Sequence, residues 1–196
     1  MTLLRGPRPR AAAIVIAVML TLGACGSSEP APPTVPTPQG FELPSDVTLT
    51  DPGTELALGE PGTVVLEVDD GAASAVTLTV NEITKGTIED FRFFSLDAAS
   101  KASTPYYVSA TVRNEGPAGL GGLGAPFVAH DDANTIVPPN VINGSFRPCP
   151  STEVPKSFLA GDATEMCLVF LMAKGRTLVS IDALSDDPAT AVRWKA

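Results

Sequence analysis

The chain predicts an all-β domain of the antiparallel β-sandwich class, and three observations carry that expectation. Short runs of β-branched and aromatic residues recur between clusters of Gly, Pro, Asp and Asn. Within those runs apolar residues alternate with polar ones, the period that lines one face of a strand. No segment sustains a helical apolar stripe of ordinary helix length.

The elements follow in order. Residues 63–68 are rich in Val and Leu, Asp69-Asp70-Gly71 supplies a turn, and residues 75–83 alternate Val76, Leu78 and Val80 against Thr77, Thr79 and Asn81. Together they read as a hairpin. Residues 95–102 have room for a helical turn or two. Residues 105–114 place Tyr106, Val108, Ala110 and Val112 on one face, and Glu115-Gly116-Pro117 ends that strand. Residues 127–130 and 135–137 flank a turn at Asp131-Asp132-Ala133-Asn134. The nearly unbroken apolar run at 166–172 is what a core strand requires, and 178–184 and 191–194 add two more strands. Short strands without intervening helices favour stacked sheets over a parallel α/β sheet.

The N-terminal region has a different character. Arg5, Arg8 and Arg10 precede an apolar stretch at 11–22 that falls short of the roughly 20 residues of a membrane span. Leu22-Gly23-Ala24-Cys25 then forms a lipobox. Small residues admit a peptidase between Ala24 and Cys25, and the thiol takes diacylglycerol, so residues 1–24 read as a lipoprotein signal peptide. Fatty acyl chains anchor at about 0.8 kcal/mol per buried methylene. The expected location is the cell membrane, lipid-anchored on the extracytoplasmic side. Residues 25–45, with Pro30, Pro32, Pro33, Pro36 and Pro38 among Ser and Thr, read as an extended tether, leaving residues 46–196 as a single domain.

Charge narrows the partners. The chain holds 13 Lys plus Arg against 22 Asp plus Glu; the leader contains three of the arginines and no acid, so cleavage leaves 10 against 22, a net of −12. Such a surface repels phosphate backbones, so no nucleic acid is expected. Lipidation consumes Cys25, and Cys149 and Cys167 remain as an even pair expected to form a disulfide in an oxidising compartment.

The order 107–116 (Tyr-Val-Ser-Ala-Thr-Val-Arg-Asn-Glu-Gly), an Asp-containing turn, Phe158-Leu159-Ala160-Gly161-Asp162 and then residues 167–171 resembles a family of secreted bacterial Ig-like lipoprotein domains of unknown function. That family is related to the immunogenic secreted antigens of actinobacteria. The resemblance spans residues 63–195 and implies an immunoglobulin-like sandwich outside the cytoplasm. It brings no catalytic residue; Ala160 stands where the family often has proline, and the Cys149 and Cys167 pair is not general to it.

Each motif with chemical meaning also has a structural reading. Gly119-Leu120-Gly121-Gly122-Leu123-Gly124 satisfies G-x-G-x-x-G, but Pro126 and a β-like stretch follow it, where a dinucleotide site needs a helix N-terminus. An inter-strand loop is expected. His130, the single histidine, lacks a nucleophile elbow and reads as a strand-end residue. Met166, Cys167 and Met172 suit soft metals but share their strand with Leu168 and Phe170, which is core composition. Asp131, Asp132 and Asn134 offer oxygens to calcium, yet are also favoured turn residues. Phe91-Arg92-Phe93-Phe94 is either an aromatic interaction patch around an arginine or an edge strand with Phe91 and Phe93 in the core; core packing is favoured. The sequence therefore leads to a non-enzymatic interaction or binding module with an envelope protein partner, without catalytic residues, cofactor or metal. An extracytoplasmic carrier or sensor of a small ligand is the alternative.

Overall fold

Alternation within the predicted strands is realised as two sheets. The computed structural model describes residues 37–68, 72–150 and 153–196, which lie in one unit. The strands are β1 (Glu55–Leu56), β2 (Pro61–Glu67), β3 (Ala73–Lys85), β4 (Thr104–Pro117), β5 (Phe127–Asp131), β6 (Ile136–Val137), β7 (Ala163–Met172), β8 (Leu178–Ala183) and β9 (Arg193–Lys195). A 3-10 turn (Ile88–Phe91) and α1 (Ala98–Lys101) lie between β3 and β4. One sheet has the order β2-β3-β4-β7 and the other β1-β9-β8-β5-β6. Every pairing is antiparallel except β1 with β9. The fold is all-β. The predicted turn at Asp69-Asp70-Gly71, the lipobox and the leader lie outside the described residues.

Both sheets face one apolar core. Leu66, Val76, Leu78, Val80, Tyr106, Val108, Ala110 and Val112 enter it from β2, β3 and β4, as Met166, Leu168, Phe170 and Met172 do from β7. Phe127, Ala129, Ile181, Ala183 and Trp194 meet them from the other sheet. A β-bulge interrupts the β3 register between Val80 and Glu82, and the inserted residue changes the parity of the strand. Ile83 therefore packs against the same core as Val80 despite an odd spacing. Trp194 is fully buried and donates its indole N–H to the Glu60 carbonyl at 2.8 Å, tying β9 to the chain entering β2.

The apolar run of β7 is explained by burial on both faces. Its alternate residues Cys167, Val169 and Leu171 join a second cluster with Phe91, Tyr107, Phe146 and Cys149 on the outer side of the four-stranded sheet. Two connections, one between β3 and β4 and one between β6 and β7, supply that cover. Cys149 and Cys167 are joined by a disulfide with a Cα–Cα distance of 5.2 Å, as the sequence leads one to expect.

Two sequence motifs meet in space. Asn114, fully buried, accepts from the Ser74 hydroxyl at 2.6 Å and the Gly116 amide at 2.9 Å, and donates to the carbonyls of Ala118 and Phe158. Its backbone amide donates to the Asp162 carbonyl and its carbonyl accepts from Gly161, so the Asn-Glu-Gly strand end and the 158–162 turn are locked together. Every polar atom of the Asn114 side chain is satisfied, which makes its burial tolerable.

Folded structure starts ahead of residue 46. Phe41 donates its amide to the Pro38 carbonyl and lies, with Ala72, Ala73, Pro117 and Ala118, along a surface cavity. The C-terminal part of the predicted tether is thus laid against the domain, where Phe41 finds apolar surface.

Candidate functional site

The most distinctive surface of the molecule is the outer edge of β2. At Thr63 the edge is closed by the chain's own N-terminal segment: the Thr50 amide donates to the Thr63 carbonyl at 2.8 Å, and the Thr63 amide donates to Thr50 Oγ1 at 2.9 Å. The same segment then changes sheets, since the Gly53 amide donates to the Thr190 carbonyl and β1 runs beside β9. Backbone polar groups point to alternate sides along an antiparallel strand. Because those of Thr63 point away from β3, those of Val65 and Glu67 do too. Among the described residues neither Val65 nor Glu67 has a backbone partner on that side.

This unpaired stretch forms one wall of a groove of about 420 Å³. The opposite wall is the connection from β8 to β9, residues 183–187 and 190–192, while Thr50 and Pro52 bound it where the strand pairing stops and Thr37 and Pro38 of the N-terminal segment also line it. Leu66, Ala183, Ala191 and Val192 give a buried apolar floor, and the rim carries exposed Glu67, Leu184, Asp186 and Asp187. Asp187 Oδ1 accepts from the Ala189 amide and shapes the turn. Among the described residues the lining contains three carboxylates and no basic residue. Chemically it offers strand hydrogen bonds, apolar contact and negative charge.

No contiguous motif signals this site. Its walls are more than a hundred positions apart in sequence, and only the acidic pair Asp186-Asp187 following a strand gave a local hint.

The aromatic segment is divided by a turn. Phe91 is 2% exposed and stacks on Phe146 with ring centroids 4.6 Å apart, and Phe94 packs edge-on against both. Phe93 is 83% exposed, with the Arg92 guanidinium 4.6 Å over its ring. The edge-strand expectation of Phe91 and Phe93 in the core is corrected here: the 3-10 turn selects spacing three, Phe91 with Phe94, over spacing two. The Thr87 amide donates to Asp90 Oδ2, as does the Tyr107 hydroxyl at 2.8 Å. These bonds, the Thr87 amide first, hold the Asp90 carboxyl below its ordinary range. Burial, aided by Asp90, pushes the Tyr107 phenol up.

His130 belongs to a polar group on the outer face of the five-stranded sheet. Its Nε2 lies 3.7 Å from Asp182 Oδ2, Arg193 approaches that same oxygen at 3.4 Å, and Ser180 donates to Asp182 Oδ1 at 2.7 Å. The imidazole and carboxylate make no hydrogen bond, and both atoms are buried without a hydrogen-bond partner among the described residues. The Ser180 hydroxyl donates to the carboxylate and not to the imidazole, so Ser180 and His130 are not arranged as nucleophile and base.

The remaining candidates serve the fold locally. Asp131 Oδ1 accepts from the amides of Ala133 and Thr135, Asn134 takes a left-handed conformation with φ 59°, and Arg176 lies 3.6 Å from Asp132. The Thr135 and Ala133 amides hold the Asp131 carboxyl below its usual range, the former most strongly. The glycine run is a loop against residues 155–158: Leu120 donates to the Phe158 carbonyl and Gly122 to that of Pro155. A Cβ on Gly121 would sit 2.0 Å from the Lys156 carbonyl oxygen, so close backbone approach demands glycine there. Met166 and Met172 are core residues, and Cys167 on the opposite face is held in the disulfide.

No helix among the described residues is long and apolar enough to cross a membrane. Comparison with known proteins adds no relative: no family model, no curated protein and no solved structure matches the chain.

Proposed function

We propose that the protein is a bacterial lipoprotein, anchored through lipid on Cys25, whose immunoglobulin-like domain works in the cell envelope as a non-enzymatic binding module. The basic, then apolar, then Leu22-Gly23-Ala24-Cys25 order supports the anchor. Two sheets on one core, together with the bonding of Asn114 to the 158–162 turn, support the immunoglobulin-like reading and its resemblance to secreted Ig-like domains. The single observation that carries the binding role is the half-open β2 edge with its apolar, acid-rimmed groove. Its exposed rim suits a chain lying along it better than a small ligand enclosed within it.

Two measurements test this reading. Intact mass of the protein from native membranes should show a chain starting at Cys25 with a diacylglyceryl adduct, and Cys25→Ser should release it from the membrane. An unlipidated, uncleaved chain would overturn the anchor. A photo-crosslinker replacing Leu184 in living cells should give one reproducible adduct that the same probe at exposed Lys101 does not give; equal labelling from both positions would overturn the groove as the binding face.

A further inference from the structure

We propose that the Val65 and Glu67 edge accepts an extended, positively charged peptide segment of an envelope partner as an added strand of the four-stranded sheet. The inference rests on the binding-module reading and specifies its partner class. Three features point the same way. The outward backbone groups at Val65 and Glu67 are the ladder an incoming strand completes. Sheet edges left unpaired are templates for pairing, and among the described residues this one is closed only at Thr63, by Thr50. Side chains of an added strand alternate, so one set meets the floor of Leu66, Ala183 and Val192 and the other reaches the carboxylates of Glu67, Asp186 and Asp187.

Charge fixes the sign of the occupant. With three acids and no base around the groove, an acidic strand is repelled and a basic one is drawn in. The pairing is sequence-tolerant in its backbone bonds and selective in its charge. It also weakens as salt rises, because the rim carboxylates are exposed.

The test uses the full chain in detergent micelles, with residue-resolved amide exchange and an acetylated peptide of alternating lysine and valine about six residues long. Saturating peptide should slow exchange at Val65 and Glu67 by about tenfold or more. A glutamate and valine peptide should leave both amides unchanged. Glu67→Lys with Asp186→Lys should weaken the lysine peptide by about tenfold or more at an unchanged melting temperature, and Glu67→Gln with Asp186→Asn should fall between.

Unchanged exchange at both amides under saturating lysine peptide overturns the proposal, as does binding indifferent to the charge reversals. Slow exchange at both amides in the free chain at every dilution means the chain covers its own edge, and protection that rises with protein concentration means two copies pair; either overturns it. A specific Leu184 adduct in cells combined with no peptide effect would retain the binding module while rejecting this class of partner.

Discussion

The two edges of the four-stranded sheet are each closed over part of their length, one by a distant loop and the other by the chain's own N-terminal segment. At the β7 edge, the Asn140 amide donates to the Val169 carbonyl at 2.7 Å, and Asn140 Oδ1 accepts from the Leu171 amide at 3.0 Å. One asparagine thus imitates a strand, and the nearby disulfide holds the rest of that connection down. At the β2 edge, Thr50 does the equivalent for Thr63 alone, and the chain then leaves for the other sheet. Each edge also keeps an unpaired stretch among the described residues, Glu165 and Cys167 on β7 and Val65 and Glu67 on β2, and it is the β2 stretch that borders the acid-rimmed groove. Since unpaired edges invite association, the groove beside Val65 and Glu67 locates where this domain has capacity to bind.

The comparison can be broken first at its closed side. Replacing Cys149 and Cys167 together by serine opens a bridge of sequence separation 18 and should cost roughly 3 kcal/mol, read as a lower denaturant midpoint. Phe146 and Phe91 should then lose their stacked packing, visible in near-ultraviolet circular dichroism. A midpoint unchanged from the parent would mean the second cluster holds this edge without its covalent staple.

Asn140→Ala tests the strand mimic itself. It removes the acceptor for a part-buried amide and should cost about 1–2 kcal/mol, with faster exchange at Leu171. Thr50→Val is the matching change at β2 and should cost about 1 kcal/mol, with faster exchange at Thr63 and little change at Val65. If Thr50→Val also loosened Val65 and Glu67, the two halves of the β2 edge would be coupled.

A smaller effect separates the cover of β7 from the bare edge by pH. Asp90 is bonded within that cover, and its carboxyl is held below its unfolded value, so its stabilisation is complete above that value and is lost as pH falls through the folded one. Stability should therefore decline on the acid side of about pH 4, and Asp90→Asn should flatten that part of the decline. An identical acid limb in parent and variant would show that Asp90 contributes nothing there.

Much of the architecture was legible because it depends on local period. Val76, Leu78 and Val80, and Tyr106 through Val112, reveal their inward faces by alternation alone. The unbroken apolar run of β7 reveals a strand, yet not the reason for its continuity, which is a second cluster built from Phe91 and Phe146 far away in sequence. Phe91 and Phe94 were harder to read because Thr87 and Asp90 set up a turn that overrides strand spacing. The β1 strand went unseen: two residues carry no period.

The candidate site was less legible still. Val65 reads as an ordinary strand residue, and only tertiary structure reveals that Thr50 closes the backbone beside it while, among the described residues, the outward backbone groups of Val65 have no partner. Hydrogen-bond partners of an edge are a property of chain path, and sequence periodicity carries no information about where that path turns away.

The central contrast comes down to four amides in the free protein. Residue-resolved hydrogen exchange on the full chain at low concentration should find Leu171 and Thr63 protected and Val65 and Glu67 exchanging freely. Comparable protection at all four would contradict the account, because it would leave no open strand edge beside the groove.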